Sequence, residues 1–315
     1  MRCLYLLLVI GGVLLASGCG VNGRMIRADL VEKSGSVALE LTDTVFYPQT
    51  TDQCGPAALA TVLDTSGVQV LPVDLAPSLY IPGRKGSLQI ELMATARGFG
   101  RIPYRVDPDV VSLLGEIQSG RPVLVLQNLG TGFRPVWHFA VVVGYLADEN
   151  KFVLRSGDVQ RKFMKTSKFL RSWQRANMWG VVLLVPGELP ANVDVESFVH
   201  AIADIEAVGQ IEAAAAGYQT AVEQWPENTI AWLGLGNVQY ELGQLEMAQT
   251  SYSELLKIEP NNVLVLNNMA FVMAERGQFE NAIQTVDTAL SLMQADDALY
   301  GVITQTRSEL AQRIE

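Results

Sequence analysis

Cysteine and histidine are scarce in this chain of 315 residues, which has three Cys and two His. Cys3 and Cys19 lie in an apolar N-terminal segment, and His200 lies in a C-terminal region of helical repeats. Cys54 and His138 are therefore the only cysteine and histidine of the central region. One thiol and one imidazole cannot supply the four ligands of a tetrahedral zinc site, so we expect no metal and no cofactor.

An excess of positive charge is also lacking. The formal net charge is -10, whereas nucleic-acid binding requires a basic footprint, so we expect no nucleic-acid partner. One basic cluster interrupts this pattern and comprises Arg155, Arg161, Lys162, Lys165, Lys168, Arg171 and Arg175. The cluster fits either a solvated face around a helix or a surface that faces anionic lipid or an acidic substrate.

The N-terminus has no apolar run long enough for a typical membrane span. A positive start at Met1-Arg2 precedes an apolar run from Leu4 to Leu15, as in a secretory signal peptide over residues 1–18. The ending Leu15-Ala16-Ser17-Gly18-Cys19 resembles a bacterial lipobox. This resemblance implies cleavage before Cys19, acylation of its thiol and a membrane anchor on the exported side. Gly20 does not resemble the aspartate of an inner-membrane retention signal, so in a cell with two membranes we expect the periplasmic face of the outer membrane.

Residues 45–186 have the pattern of a compact α+β unit that follows a tether at 19–44. We expect helices after Cys54, from Leu88 to Arg97 and from Val110 to Gln118. Short apolar runs rich in β-branched residues predict strands at 122–126, 138–145, 151–155 and 180–185. Early helices followed by clustered strands favour a mainly antiparallel sheet. Proline and glycine at 186–190 predict a linker, which we place at 187–194.

The last third of the chain repeats itself every 34 residues. Glycine recurs at Gly209, Gly243 and Gly277, and alanine, tyrosine and proline recur with the same spacing. This period resembles the tetratricopeptide repeat (TPR), in which small residues let two helices pack closely. We predict a TPR domain at 195–315, with repeats at about 195–228, 229–262 and 263–296 and a capping helix from Leu299 to Ile314. Such a solenoid implies a protein partner or substrate bound along the repeats.

Cys54 stands directly before Gly55-Pro56 and an apolar stretch, which predicts a helix with proline in its first turn. The positive end of a helix favours the thiolate, the nucleophilic form of a thiol whose ordinary pKa is about 8.5. His138 opens a predicted strand, from which an imidazole can act as the base. Because acylation of Cys19 leaves Cys54 as the sole thiol of the processed chain, its use in chemistry is the simpler interpretation. A cysteine on a helix start and a histidine on a strand form the papain-like arrangement.

Such a site needs a second donor for the oxyanion, besides the backbone N–H of Cys54. Gln49 and Gln53 both carry a suitable amide. We favour Gln49, because the side chain of Gln53, next to the cysteine, is expected to point away. Asp158 follows the strand after His138 and is the predicted group that orients the imidazole.

Two sequence blocks resemble the C39-like peptidases, which are papain-fold cysteine peptidases. The cysteine block is Asp52-Gln53-Cys54-Gly55-Pro56-Ala57-Ala58-Leu59, and the histidine block is His138-Phe139-Ala140-Val141-Val142-Val143-Gly144-Tyr145. With the lipobox and the TPR repeats, the whole chain resembles a bacterial group of C39-family lipoproteins. The resemblance implies that peptide bonds are hydrolysed by Cys54 and His138.

The chain departs from the family pattern at two positions. Gln49 stands five residues before the cysteine rather than six, and strand register places the family's aspartate nearer Ser156 than Asp158. These departures keep a second function open, in which the first domain is a non-catalytic peptide-binding or assembly platform for the repeats. A third function keeps the nucleophile but transfers the acyl group to an amine, since fold alone does not decide the reaction.

Overall fold

The computed structural model describes residues 39–49, 53–81, 83 and 86–313. The predictions for the N-terminal segment, namely the signal peptide and the acylation of Cys19, lie outside the described residues. Within the described ranges, no helix is long and apolar enough to cross a membrane.

The elements form an N-terminal α+β part and a C-terminal run of helices. Strands β1 to β7 are Leu39–Glu40, Ile102–Arg105, Val123–Asn128, Trp137–Leu146, Lys151–Ser156, Val159–Lys165 and Gly180–Leu184. Helices α1 to α5 are Cys54–Thr65, Pro72–Leu79, Gln89–Gly98, Val110–Gln118 and Thr166–Gln174. Helices α6 to α12 are Val195–Glu206, Ile211–Gln224, Thr229–Glu241, Leu245–Ile258, Val263–Glu275, Phe279–Ser291 and Tyr300–Gln312.

A single antiparallel sheet forms the centre of the N-terminal domain. Its strand order is β2-β7-β3-β4-β5-β6, and β1 pairs with the far end of β4. Strands β3 and β4 are apolar on both faces and are covered by helices on both sides, which explains their continuous apolar runs. The prediction of an α+β domain with a mainly antiparallel sheet, followed by an all-α repeat domain, is confirmed.

The two faces of the sheet have separate cores. On one face, α1 packs Leu59 and Leu63 among Val141 and Val143 of β4. On the other face, alternate residues of the same strands meet α4, α5 and the first repeat helices. This alternation of side chains along β4 decides which face each residue of the candidate site occupies.

The core of the second face continues across the domain boundary. Phe198 of α6 is fully buried and lies edge-on to Tyr104 of β2, with ring centroids 6.5 Å apart. The predicted linker is itself packed: the backbone N–H of Asp194 donates to Tyr104 Oη at 2.9 Å, and that of Ala191 donates to Glu116 Oε1 at 2.7 Å. The repeats therefore extend from the first domain as one packed body.

Helices α6 to α11 form three antiparallel pairs, and each pair lies inside one of the predicted repeats. Small residues bring the helices together, as at Gly236, where a Cβ would lie 2.3 Å from the ring of Tyr252. The left-handed glycines Gly209, Gly243 and Gly277 end the first helix of each pair.

Several elements differ from the sequence-based expectation. The sheet begins at Leu39, before the predicted domain start at residue 45, because β1 pairs with β4. Helices α2 and α5 and strands β1, β2 and β6 were not predicted. Strand β6 is an edge strand with mostly exposed side chains, so it shows no apolar alternation that would reveal it.

Candidate active site

Cys54 is the first residue of α1 and lies half-buried at the mouth of that helix. Pro56 is accommodated because the N–H groups of the first turn have no partner within the helix. The following residues from Gly55 to Leu63 are buried and fix the helix against the sheet. The helix therefore presents its N-terminal N–H groups and its positive end beside the sulfur.

Cys54 lines a cleft of about 460 Å³. The other described residues around it are Gly86, Ser87, Leu88, Gln89, Leu126, Pro135, Trp137, Phe139, Ala176 and Asn177. Gly55 lets the wall close over the helix start, since a Cβ there would lie 2.3 Å from Ser87 Oγ. That hydroxyl is buried and has no hydrogen-bond partner within the described residues. The cleft thus combines apolar and polar surface, with a thiol and an unsatisfied hydroxyl in its wall.

His138 is the second residue of β4 and is half-buried. A hydrogen bond of 2.8 Å joins its Nε2 to Ser156 Oγ at the end of β5. Lys162 Nζ, on β6, donates to the same hydroxyl at 3.5 Å. Burial, and next to it the positive charge of Lys162, lower the pKa of His138 from 6.5 to about 4. The imidazole is therefore neutral at neutral pH and available as a base.

The start of β4 brings Cys54 and His138 to the same end of the sheet. Trp137 and Phe139 line the Cys54 cleft, whereas His138, although described, is not among the lining residues. Its register partner is Gln127 of β3, whose side chain donates to Ser172 of α5 on the opposite face. Because side chains alternate along a strand, the imidazole leaves the strand on the Gln127 side. Cys54 therefore lies in the cleft on one face of the sheet, and the imidazole leaves the start of β4 on the other face.

Gln49 lies close to the group that holds the imidazole. Its backbone N–H donates to the carbonyl of Gly157 at 2.9 Å, and its side-chain Oε1 accepts from the Gly157 N–H at 3.0 Å. These bonds use the amide oxygen and leave the amide N–H groups as donors. Gln53, the alternative oxyanion donor, is the exposed N-cap residue of α1.

The structure does not bring Asp158 to the imidazole. Asp158 is exposed in the turn between β5 and β6, and Ser156, two residues earlier, bonds to His138 instead. The described hydrogen bond to His138 Nε2 thus comes from Ser156, and the orienting role of Asp158 stays a prediction. Register shifts at Val142/Gly144 and at Leu154/Ser156 determine which residue ends β5 beside the histidine.

Residues 41–179 match the Peptidase_C39 like family, and residues 236–277 match the TPR repeat. The N-terminal domain is a C39-like domain. The match begins just after β1 and ends just before β7, and it includes Cys54, His138 and Ser156. None of the curated proteins matches the chain.

Solved structures resemble each part of the chain separately. A C39-like peptidase from Bacillus anthracis shares 16% identity at a TM-score of 0.39, over 47% of this chain and 98% of the other. The type III secretion chaperone SycD of Yersinia enterocolitica, in complex with a peptide of the translocator YopD, shares 17% identity at a TM-score of 0.36, over 38% of this chain and 95% of the other. The TPR2B domain of yeast Sti1 shares 15% identity at a TM-score of 0.36, over 38% of this chain and 97% of the other.

Sequence reasoning missed three groups around the C39-like site: Ser156, Lys162 and Ser87. Ser156 had a signal, because strand register already placed the position opposite His138 near it. Lys162 had none, because β6 was not predicted. Ser87 has an unremarkable sequence context and gains its place only through the close approach to Gly55.

A second concave site lies on the repeats. It has a volume of about 490 Å³ and is lined by Asn237, Tyr240, Glu241, Tyr252, Asn268 and Phe271. Tyr252 Oη donates to Asn237 Oδ1 at 2.8 Å, and burial raises the pKa of Tyr252 to about 12. Asn268 Nδ2 donates to the same oxygen at 3.3 Å. The site therefore offers amide and aromatic surfaces, with Glu241 as its charged residue.

Proposed function

We propose that the chain is a cysteine peptidase that hydrolyses peptide bonds at the cleft of its C39-like domain. Membership of the C39-like family supports the class of reaction, and the placement of Cys54 at a helix N-terminus in the wall of a cleft supports its role as nucleophile. In this proposal Cys54 attacks the peptide carbonyl and His138 takes the thiol proton and returns it to the leaving amine. Gln49 and the Cys54 backbone N–H bind the oxyanion.

The state of His138 favours a general-base mechanism. With a pKa near 4, the imidazole is neutral at the working pH and accepts the proton as the sulfur attacks. Lys162 opposes a stable imidazolium, so a preformed thiolate–imidazolium pair is disfavoured. Ser156 replaces Asp158 in the proposal as the group that positions the ring.

A non-catalytic function is the second candidate. Three observations favour it: a serine rather than a carboxylate bonds to His138, Lys162 lies beside it, and the imidazole does not line the cleft of Cys54. In this case the C39-like domain binds a peptide without cutting it and the repeats provide the recruiting surface.

The experiment that separates the two candidates combines peptide hydrolysis with thiol labelling. The purified chain is incubated with a proteome-derived peptide mixture, and new termini are identified by mass spectrometry. The peptidase proposal expects cleavage that is lost in Cys54→Ala and falls by about 10²–10⁴-fold in His138→Ala. A product bearing the added amine instead of a free carboxylate would indicate acyl transfer rather than hydrolysis.

Labelling with iodoacetamide measures the reactivity of the Cys54 thiol without any substrate. An activated Cys54 reacts well below pH 8.5 and loses this reactivity in His138→Ala, whereas Asp158→Asn leaves it unchanged. An ordinary thiol titration that is the same in all three proteins, together with no new termini, would reject the peptidase in favour of the binding function.

We propose that the repeats bind a basic partner or substrate segment. Residues 195–315 contain seventeen Asp or Glu and only four Lys or Arg. Charge complementarity then selects a positively charged peptide and speeds its association. Binding of a Lys-rich peptide that weakens in Glu241→Gln and in high salt is the expected result, and equal binding of a Glu-rich peptide would reject it.

We also propose that the chain is exported and anchored by lipid at Cys19. The lipobox-like sequence Leu15-Ala16-Ser17-Gly18-Cys19 supports this anchor. Metabolic labelling with a fatty-acid analogue should mark the wild-type chain and leave Cys19→Ser unmarked. Labelling that persists in Cys19→Ser, or is absent from both, would contradict the anchor.

A further inference from the structure

Helix α5 carries a stripe of positive charge on its exposed side. Lys165, Lys168, Arg171 and Arg175 follow one another at three- or four-residue intervals, so they share one face of the helix, and all four are exposed. The opposite face is buried through Phe169 and Trp173. The stripe belongs to a chain whose net charge is -10.

Among the described residues, no carboxylate neutralises the charge of the stripe. Within the described residues, no ion pair involves Lys165, Lys168, Arg171 or Arg175. The neighbouring cation Arg161, by contrast, is paired with Glu40 at 2.7 Å. Lys165, Lys168 and Arg171 are therefore available to an anionic group from outside, whereas Arg175 bonds to a backbone carbonyl.

The stripe leads into the cleft of Cys54. Ala176 and Asn177, which directly follow Arg175, line that cleft. Arg175 Nη1 also donates to the carbonyl of Gly130 at 2.6 Å, which ties α5 to the loop between β3 and β4. The charged stripe and the cleft thus form one continuous surface.

The loop beside the cleft exposes large apolar side chains. Phe133 is 100% exposed, Val136 56% and Trp137 55%. Leu126, Trp137 and Phe139 contribute apolar side chains to the wall of the cleft. Clustered exposed apolar groups at the rim of a cleft indicate an apolar ligand.

We infer from this surface that the preferred substrate has a bulky apolar residue in the cleft and acidic residues along the α5 stripe. The inference rests on the proposed peptidase function and names its substrate class. Along the helix axis, Arg171, Lys168 and Lys165 lie about 6, 10 and 15 Å beyond Arg175. An extended peptide advances about 3.3 Å per residue, so the acidic residues lie about two to five positions from the apolar one.

The test measures binding separately from cleavage. Fluorescence anisotropy of the Cys54→Ala chain compares labelled peptides with one central Leu. Each peptide carries four Glu, or four Gln, at the second to fifth positions from that Leu, either on its N-terminal or on its C-terminal side. The Glu peptide of one orientation should bind about tenfold more tightly than its Gln counterpart. Because salt screens exposed charges, this difference should shrink in about 0.5 M salt.

Charge reversal on the stripe tests the assigned surface. The double variant Lys168→Glu/Arg171→Glu should abolish the preference for the Glu peptide, while Lys257→Glu, an exposed lysine on α9, should retain it. Equal binding of the Glu and Gln peptides, or an unchanged preference in the double variant, would overturn the inference. It would also be overturned if the stripe bound phosphatidylglycerol vesicles while Glu and Gln peptides bound alike, because the surface would then face lipid.

The same peptides separate this inference from the proposed function. Tight, stripe-dependent binding of a Glu peptide that the wild-type chain never cuts would uphold the acidic ligand and reject the peptidase. Cleavage of Glu and Gln peptides at equal rates would uphold the peptidase and reject the acidic preference.

Discussion

At the scale of single residues, the hydroxyl of Ser156 differs from a carboxylate in its effect on His138. A carboxylate only accepts hydrogen bonds, so it fixes the proton on Nε2 and leaves the other ring nitrogen as the acceptor. A hydroxyl donates or accepts, and Lys162 already donates to this one. Ser156 therefore positions the ring without fixing its tautomer or stabilising its charged form.

Replacing Ser156 by aspartate should raise the pKa of His138 from about 4 toward or above its ordinary value of 6.5. Lys162→Gln should also raise it, because the second cause of the lowering is removed. Both shifts can be followed by NMR titration of the His138 imidazole. A titration of His138 that is the same in both variants and in the wild type would contradict the assigned environment.

The lowered pKa of His138 also predicts how stability depends on pH. The folded state resists protonation down to about pH 4, while the unfolded chain binds the proton near pH 6.5, so the unfolded state gains protons first as the pH falls. The free energy of unfolding should therefore decrease between pH 6.5 and 4, by about 1–3 kcal/mol after allowance for partial exposure.

Urea unfolding at pH 7, 5.5 and 4.5 measures this contribution. The reference is His138→Gln, which has no imidazole at this position. Its stability should fall less over the same interval than that of the wild type. Parallel curves for the two proteins would show that His138 does not contribute.

The sequence predicts Cys54 and His138 as the candidate pair but does not predict the group that bonds to the histidine. The thiol and the imidazole are revealed by scarcity and by their places at the start of a helix and of a strand. The identity of the residue that bonds to His138 depends on register shifts in the β4–β5 pair and in the β5–β6 pair. A bulge moves every later partner along the strand and has no reliable sequence signature here, so the sequence predicts Asp158, whereas the described bond to His138 comes from Ser156.

At the scale of elements, predictability follows the strength of the apolar pattern. Helix α4 was predicted from Val110 to Gln118 as observed, and β4 within one residue at each end, because both bury long apolar runs. Strand β6 lies at the sheet edge and the basic helix α5 covers one face of the sheet, and both turn polar side chains to solvent. Their pairing and packing come from neighbours distant in sequence, which a local pattern does not contain.

Close packing between repeat helices gives a prediction at this scale. Gly236→Ala should destabilise the repeats by about 1–3 kcal/mol, because the new Cβ would meet the Tyr252 ring at 2.3 Å. Gly301→Ala is the control: nothing lies within 4 Å of its Cβ position in α12, so the better helix former should stabilise by up to about 1 kcal/mol. Thermal unfolding followed by circular dichroism measures both, and a loss of equal size in the two variants would contradict the packing argument.

At the scale of the whole molecule, the two domains share one core. Phe198 of the first repeat packs against Tyr104 of the C39-like domain, and Ile202 lies in the same cluster. This contact was not predicted, because a proline- and glycine-containing segment at 186–190 is typical of a loose linker. The docking instead depends on complementary buried surfaces.

Phe198→Ala should therefore destabilise the C39-like domain as well as the repeats, by about 3–5 kcal/mol for the cavity at this site. Leu310→Ala is the control, because Leu310 belongs to a separate cluster at the end of the repeats. Hydrogen exchange of a peptide covering β2 measures the effect: exchange should accelerate in Phe198→Ala and remain unchanged in Leu310→Ala. Protection of β2 that is the same in both variants would show that the domains fold independently.

The shared core also sets the order in which the protein can be completed. When synthesis has passed residue 186, Ile102 and Tyr104 still lack the side chains of α6 and α7 that cover them. The C39-like domain can reach its final packing only after the first repeat has emerged and docked. A chain that stops early would leave that apolar surface open to proteases. Truncated chains would therefore be degraded, and a C39-like domain without its repeats would not accumulate.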